Sequence, residues 1–477
     1  MATTITNLAG TETPVSDEEL DGLRAQVRGS VLTPSDPGAD AVRDVFNAMH
    51  PGRPALTVTC SGTADVVAAV NFARTHGLLV AVRGGGHSIA GLSAIDGGML
   101  IDLAPMRGVP VDPAQRLARV QGGAVWADVD HETQTFGLAT PGGVVSDTGV
   151  AGLTLGGGYG WLRRKHGLAC DNVVAAQIVG ADGEVRTASP ASHPDLYWAI
   201  RGGGGNFGIV TSFTFQLHDL GPEVAFAATF YPLDELGTIL RRWRDYVTEA
   251  PDEVTSVVVT ITVPADPHAP EVVHDRPCAI VGGVYAGAAD EGMTVLQPLR
   301  ELGSPLFDMS GPTPFTAVQA GFDPLFPRNQ LQAYWKSQYL DELPDAAIDL
   351  IAAQALGRPS PLTLVNTFHM GGAVAAVDPE ATAFAERAAP FMVSIDGNWT
   401  DADQNDDMIA WVRGAWDDIR KFGNGSVYLN FTGRADEAPS AGVYSALGRN
   451  LERLTAIKAT YDPDNFFRLN DNITPAS

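Results

Sequence analysis

Residues 83–88 read Arg-Gly-Gly-Gly-His-Ser, directly after the apolar run Leu79-Val80-Ala81-Val82. Three consecutive glycines let backbone N–H groups converge on one point, because no Cβ blocks the approach or forbids positive φ. Such a loop cradles a phosphate or a bulky planar group, and a histidine at its edge serves as ligand, base or point of covalent attachment. The bland alternative is a tight turn with a solvated His87. Two more glycine-rich loops follow at 156–158 and 202–205, and Gly149, Gly152 and Gly160 flank the first of them. Convergence on one extended, phosphate-bearing cofactor is simpler than three unrelated turns. Residues 203–208 satisfy Gly-x-Gly-x-x-Gly, but the β-branched, alternating Ile209-Val-Thr-Ser-Phe-Thr-Phe215 follows in place of a helix. A pyrophosphate would meet no helix N-terminus there, which excludes a Rossmann-type nicotinamide site. The chain also has no Gly-x4-Gly-Lys-Ser/Thr loop.

Those loops need a frame. Residues 15–50 read as peripheral helix, with Ser16 before Glu18-Glu19 as a start signal. From 55 to 217 short apolar strands dominate: 56–59 and 79–82 bracket a helix at 64–75, a β-α-β unit, and strands follow at 99–103, 117–120, 173–185 (reversing at Asp182-Gly183) and 209–215. Beyond 221 the spacing predicts helices over 236–248 and 379–389, the latter with Asp378 as cap and Pro379 at the first helical position. Strands are expected at 254–263 and 278–285. An amphipathic helix at 447–461 should pack back on the first part of the chain. The fold class is α+β.

The chain has 477 residues, 45% hydrophobic and 18% charged, as in a globular protein of two or three domains. Its net charge of −25 argues against nucleic acid or an anionic membrane surface as partner. Cys60, Cys170 and Cys278 are isolated, which excludes a zinc site or a disulfide framework. The first residues lack the charge and apolar core of a signal peptide, and no apolar run approaches the roughly 20 residues of a membrane span. A soluble, cytoplasmic protein is expected; its oligomeric state is not legible.

The series Arg83-Gly-Gly-Gly-His87-Ser88, Gly149-Val-Ala-Gly152 with Gly156-Gly-Gly-Tyr-Gly160, Asp195-Leu-Tyr-Trp-Ala-Ile-Arg201-Gly-Gly-Gly-Gly-Asn206-Phe-Gly208 and Tyr461-Asp-Pro-Asp-Asn465 resembles the berberine-bridge-enzyme-like FAD-linked oxidases, of the vanillyl-alcohol-oxidase (PCMH) type. The resemblance covers about residues 50–217 and 425–475. It implies a two-subdomain FAD-binding domain at 1–220 (core 50–217), a substrate domain with an antiparallel sheet at 221–424, and a C-terminal segment, 425–477, returning to the first. It implies FAD bonded through its 8α carbon to His87. Many members add a cysteine link a few residues before Gly149, but Val144-Val-Ser-Asp-Thr148 holds none and Cys170 lies too far along, so one link is expected, with Cys170 unattached. The cofactor-binding residues carried over are Arg83, Gly84, Gly85, Gly86, His87, Ser88, Asp147, Thr148, Gly149, Gly152, Leu153, Gly157, Gly158, Tyr159, Gly160, Gly208, Ile209, Val210, Tyr428, Asn470 and Asn472.

Such enzymes take hydride from a CH–OH or CH–NH carbon and pass the electrons to O2, giving hydrogen peroxide. Relatives place a tyrosine base at the end of a Tyr-x-Asn-Tyr segment. The matching Tyr428-Leu-Asn-Phe431 ends in phenylalanine, which cannot accept a proton. The candidates left are Tyr428, Lys336 in Tyr334-Trp-Lys-Ser337, and His369. Each has a bland reading too: cleft wall, solvated lysine, half-buried histidine. Thr148, close in size to the valine that favours oxygen access, leans towards an oxidase acting on a small to mid-sized molecule. A dehydrogenase with another acceptor, or a flavin-binding protein without turnover, are the alternatives.

Overall fold

The computed structural model describes residues 2–265, 270–433 and 447–476. Helix α1, Asp17–Arg24, opens with Ser16 and Glu19 capping each other's backbone N–H. The helix expected over 15–50 stops there. Gly29, Pro34, Pro37 and Gly38 break it, and the chain continues through an edge strand, Ser30–Leu32, and a short turn of helix, Ala39–Arg43.

Three strands, β1 (Leu56–Thr59), β2 (Val80–Arg83) and β3 (Met99–Asp102), form a parallel sheet with β3 in the middle. Helix α2, Thr63–Thr75, makes the crossover from β1 to β2. A second sheet is antiparallel and is built on β4 (Leu117–Gln121), β5 (Val173–Val179) and β6 (Ile209–Gln216), with β6 between the other two. Because β6 follows Gly208 directly, the rejection of a nicotinamide turn stands.

Among the described residues the third sheet is wholly antiparallel and has eight strands. Six carry it: β7 (Glu223–Pro232), β8 (Val254–Thr262), β9 (Pro277–Tyr285), β10 (Gln332–Leu340), β11 (Leu364–His369) and β12 (Phe391–Trp399). In space they run β7-β9-β8-β11-β12-β10. Both faces are covered, so these strands read as long apolar runs. One face packs on three helices, Leu236–Glu249, Asp345–Leu356 and Asn405–Ile419. The first buries Leu236, Ile239, Leu240, Trp243 and Val247, a stripe at helical spacing, against Tyr334, Val365, Val393 and Ile395 of the sheet. The other face meets the glycine-rich loops, where Val257, Val259, Trp335, Leu364, Phe368 and Met392 share a core with Tyr159, Trp161 and Leu168. Strand alternation therefore decides which side chains can reach those loops.

The expected helix at 379–389 is absent. The Ala383 and Phe384 N–H groups donate to the Trp198 and Arg201 carbonyls instead of to a helical turn, and Arg387 pairs with Asp171 at 2.7 Å. The tail helix, Leu451–Tyr461, packs on Pro194–Ala199, where Tyr461 Oη donates to Asp195 at 2.9 Å. Lys458, fully buried, donates to Asp462 at 2.6 Å and to the Asn206 and Phe467 carbonyls. Among the described residues no helix is long and apolar enough to cross a membrane.

Candidate functional site

The turn after β2 is anchored by Arg83. Its guanidinium donates to both oxygens of Asp102 at the end of β3, at 2.9 and 2.7 Å. Arg83 thus points into the fold and holds the loop from beneath. Gly85 lies so close to Gly149 that a Cβ on either would strike the other's backbone. Gly86 has φ +71°. The two loops lock together, and the short helix Val150–Leu155 leaves from the junction.

Around this junction runs a cleft of about 310 Å3, bounded on its far side by the third sheet. Gly84, Gly85, Gly86, His87, Ser88, Thr148, Gly149, Gly152, Leu153, Tyr159, Gly208, Ile209, Val210, Tyr428 and Asn470 all line it. Residues scattered over 387 positions of sequence therefore meet in one place. Gly157 and Gly158 lie behind the wall. A Cβ at Gly157 would strike the Phe384 ring, and the Gly158 N–H donates to Tyr428 Oη at 3.2 Å. The Gly160 carbonyl accepts from Arg163 at 2.8 Å. These three glycines, like Arg83, shape the site without lining it.

The surroundings suit a large cofactor that itself carries hydrogen-bonding groups. Gly152 and Gly205 line the cleft, and a Cβ on either would meet nothing within 4 Å. The side-chain oxygens of Asn470 and Asn472 are buried without a partner. The His87 ring stacks flat on Phe46, centroids 4.3 Å apart and planes 7° apart. Its Nε2 lies 3.3 Å from Asp147 Oδ1, a close contact angled short of a hydrogen bond. Arg328 approaches the other Asp147 oxygen at 3.2 Å. Burial works to raise the Asp147 carboxyl, but His87 and Arg328 more than offset it and hold it below the usual carboxylate range.

The catalytic candidates separate by strand register. Trp335 faces the cleft, so Lys336 faces the helices, its ammonium 4.8 Å from the Trp416 ring. Phe368 faces the cleft, so His369 lies on the helix side beside Trp243. Burial, reinforced by Arg164 and Arg163, pushes its imidazole down to about 2. Lys336 and His369 are thus removed as candidates. Tyr428 does line the cleft, but its hydroxyl accepts from Asn430 at 2.7 Å and from Gly158, and burial drives its phenol well above the ordinary value. It stays protonated at neutral pH and packs on Tyr159 at 4.5 Å. Phe431 also lines the cleft, edge-on to Trp335.

Sequence reasoning missed Asp396. This residue of β12 is 3% exposed and lines the cleft. Asn366 Nδ2 donates to its Oδ2 at 2.7 Å, while Oδ1 is buried without a partner. Burial lifts its carboxyl to about 7, against hydrogen bonds from Ser394 and Asn366 that work to lower it. The available signal was an acid within the otherwise uncharged run Phe391–Trp399. Val145 lines the cleft at the slot of the second cysteine link, whereas Cys170 is buried outside the lining.

A model of the FAD binding domain matches residues 54–189, and one described as berberine and berberine like matches 427–474. The uncharacterized FAD-linked oxidoreductase YgaK of Bacillus subtilis (strain 168) is 31% identical over 95% of this chain and 98% of its own. (R)-6-Hydroxynicotine oxidase of Paenarthrobacter nicotinovorans is 38% identical over 48% of this chain and 50% of its own. The crystal structure of 6-hydroxy-D-nicotine oxidase from Arthrobacter nicotinovorans superposes with a TM-score of 0.83 at 28% identity, covering 94% of this chain and 98% of that one. Similar in sequence over almost its whole length to an FAD-linked oxidoreductase and matched by both family models, the chain belongs to the berberine-bridge-enzyme-like, PCMH-type FAD-linked oxidoreductases.

Proposed function

We propose that this FAD-linked oxidoreductase is an oxidase that removes hydride from a hydroxyl-bearing carbon of a small to mid-sized, largely apolar molecule and returns the electrons to dioxygen as hydrogen peroxide. The observation that carries the reading is Asp396, whose unpartnered, buried oxygen stands in the same cleft as the glycine loops. A carboxylate whose proton affinity is tuned to about 7 is matched to taking a hydroxyl proton near neutral pH. Asn366 orients it by holding Oδ2, which leaves Oδ1 for substrate. Phe326, Trp335, Leu364 and Phe431 supply apolar walls that exclude water and favour an apolar substrate body.

Bound FAD supplies the hydride acceptor. Gly84, Gly85, Gly86, Gly149, Gly152 and Asn470 would hold it, with His87 as its single covalent anchor. The absence of cysteine from 144–148 and the burial of Cys170 away from the cleft favour one link. Residues 1–220 with 425–477 would bind FAD, and 221–424 would present Asp396. Thr148 on the cleft wall supports the oxidase reading. Three free, buried cysteines suit a reducing, cytoplasmic setting.

The test is anaerobic mixing of the yellow holoprotein with matched alcohols and amines, followed by timed aeration. Bleaching by an alcohol and recovery with hydrogen peroxide on aeration is the expected result. Bleaching by the amines alone would overturn the alcohol assignment. Bleaching without recovery in air would make the protein a dehydrogenase with another acceptor.

A further inference from the structure

We propose that Asp147, itself held by Arg328, is the positioning residue that sets the tautomer of His87 for attachment to the flavin. The proposal rests on His87 being the covalent anchor.

Four separate segments meet here. Phe46 fixes the plane of the His87 ring by flat stacking. That leaves rotation within the plane, and hence the choice of tautomer, to whatever faces Nε2. Asp147 Oδ1 faces it at 3.3 Å, and neither atom has a hydrogen-bond partner elsewhere. Arg328 approaches Asp147 Oδ2 at 3.2 Å and donates to the Gly85 carbonyl at 2.9 Å and the Asp44 carbonyl at 3.0 Å. One guanidinium therefore ties the carboxylate to the loop that carries the histidine, so the two move together.

A carboxylate accepts hydrogen bonds and donates none. Turned onto Nε2, it fixes the proton there and leaves the lone pair on Nδ1. An imidazole in the other tautomer has no lone pair at that nitrogen. Attachment forms one Nδ1–C8α bond and breaks one C–H bond of the 8α methyl group, whose hydrogen leaves as a proton. The electron pair of that C–H bond passes into the flavin ring system. The alkylated imidazole sheds its Nε2 proton towards Asp147, whose negative charge stabilises the transient imidazolium. Dioxygen then takes the two electrons and two protons as hydrogen peroxide, which leaves oxidised, tethered flavin.

The experiment compares wild type, Asp147→Asn, Asp147→Glu and Arg328→Met as purified holoproteins. Three quantities are read: total flavin per chain, the fraction that stays with acid-precipitated protein, and the melting temperature. In wild type the flavin stays with the pellet. In Asp147→Asn the covalent fraction falls at least about tenfold at unchanged total flavin, because the amide N–H can face Nε2 and place the proton on Nδ1. Asp147→Glu retains attachment, and Arg328→Met loses part of it. Full attachment in Asp147→Asn overturns the proposal. Equal loss in the Asn and Glu variants, or loss of total flavin in step with the covalent fraction, assigns Asp147 to packing or FAD retention and also overturns it. Acid release of flavin from wild type would instead refute the covalent reading of His87 itself.

Discussion

Asp396→Asn should abolish flavin reduction and at the same time stabilise the protein at alkaline pH. The side chain is buried in the cleft wall, and burial carries its carboxyl from the ordinary value near 4 to about 7 in the folded chain. A raised carboxyl means that the native state binds the proton more tightly than the unfolded chain does. The resulting stability is whole below about pH 4 and is lost as pH rises to 7. Above pH 7 the buried charge costs the folded state up to about 4 kcal/mol relative to a neutral side chain of the same shape. Asparagine is that shape. The difference in stability between Asp396→Asn and wild type should therefore be small at pH 4, grow through pH 7 and level off beyond it. Melting temperatures of both proteins at matched pH read this directly, because every other titration cancels in the difference. The rate of anaerobic flavin reduction should fall about 100- to 10,000-fold in the variant. In wild type it should climb about tenfold from pH 6 to 8 as the carboxylate ionises. A variant that reduces flavin at the wild-type rate, or one that is less stable than wild type at pH 8, would refute the reasoning.

His87→Ala should leave the protein yellow, since loops on every side still hold FAD, but acid should then release all the flavin to the supernatant. Lys336→Met and His369→Phe, which alter the helix-facing side of the sheet, should change the rate of flavin reduction by less than about twofold; a loss beyond tenfold in either would restore that residue as a candidate. Lys458→Met strands the Asp462 carboxylate in the interior and should destabilise the protein by about 3–5 kcal/mol, measured by denaturant unfolding of the holoprotein. Gly85→Ala should push the Gly85 and Gly149 loops apart and lower the flavin content of the purified protein.

The glycine loops were legible because their chemistry is local. A run of glycines beside a strand announces a close backbone approach whatever surrounds it, and β6 after Gly208 could be read from its own β-branched residues. The helix at 379–389 was misread because its cap signal was also local, while the competing partners, the Trp198 and Arg201 carbonyls and Asp171, lie about 180 to 220 positions away.

The residue sequence by itself determined the cofactor class, a glycine-rich loop at the cleft and the histidine at its edge, since these depend on backbone freedom and residue type at neighbouring positions. Only the tertiary structure decided which of the candidate side chains reach the cleft. Successive side chains on a strand point to opposite faces, so Trp335 and Lys336, or Phe368 and His369, are one residue apart in sequence and on opposite sides of a sheet. Nothing in β12 alone says whether Asp396 meets a helix or a flavin cleft. That choice was made by packing, when three helices covered one face and left the other to the glycine loops. The same packing withdrew water from Asp396 and so raised its carboxyl above the ordinary range.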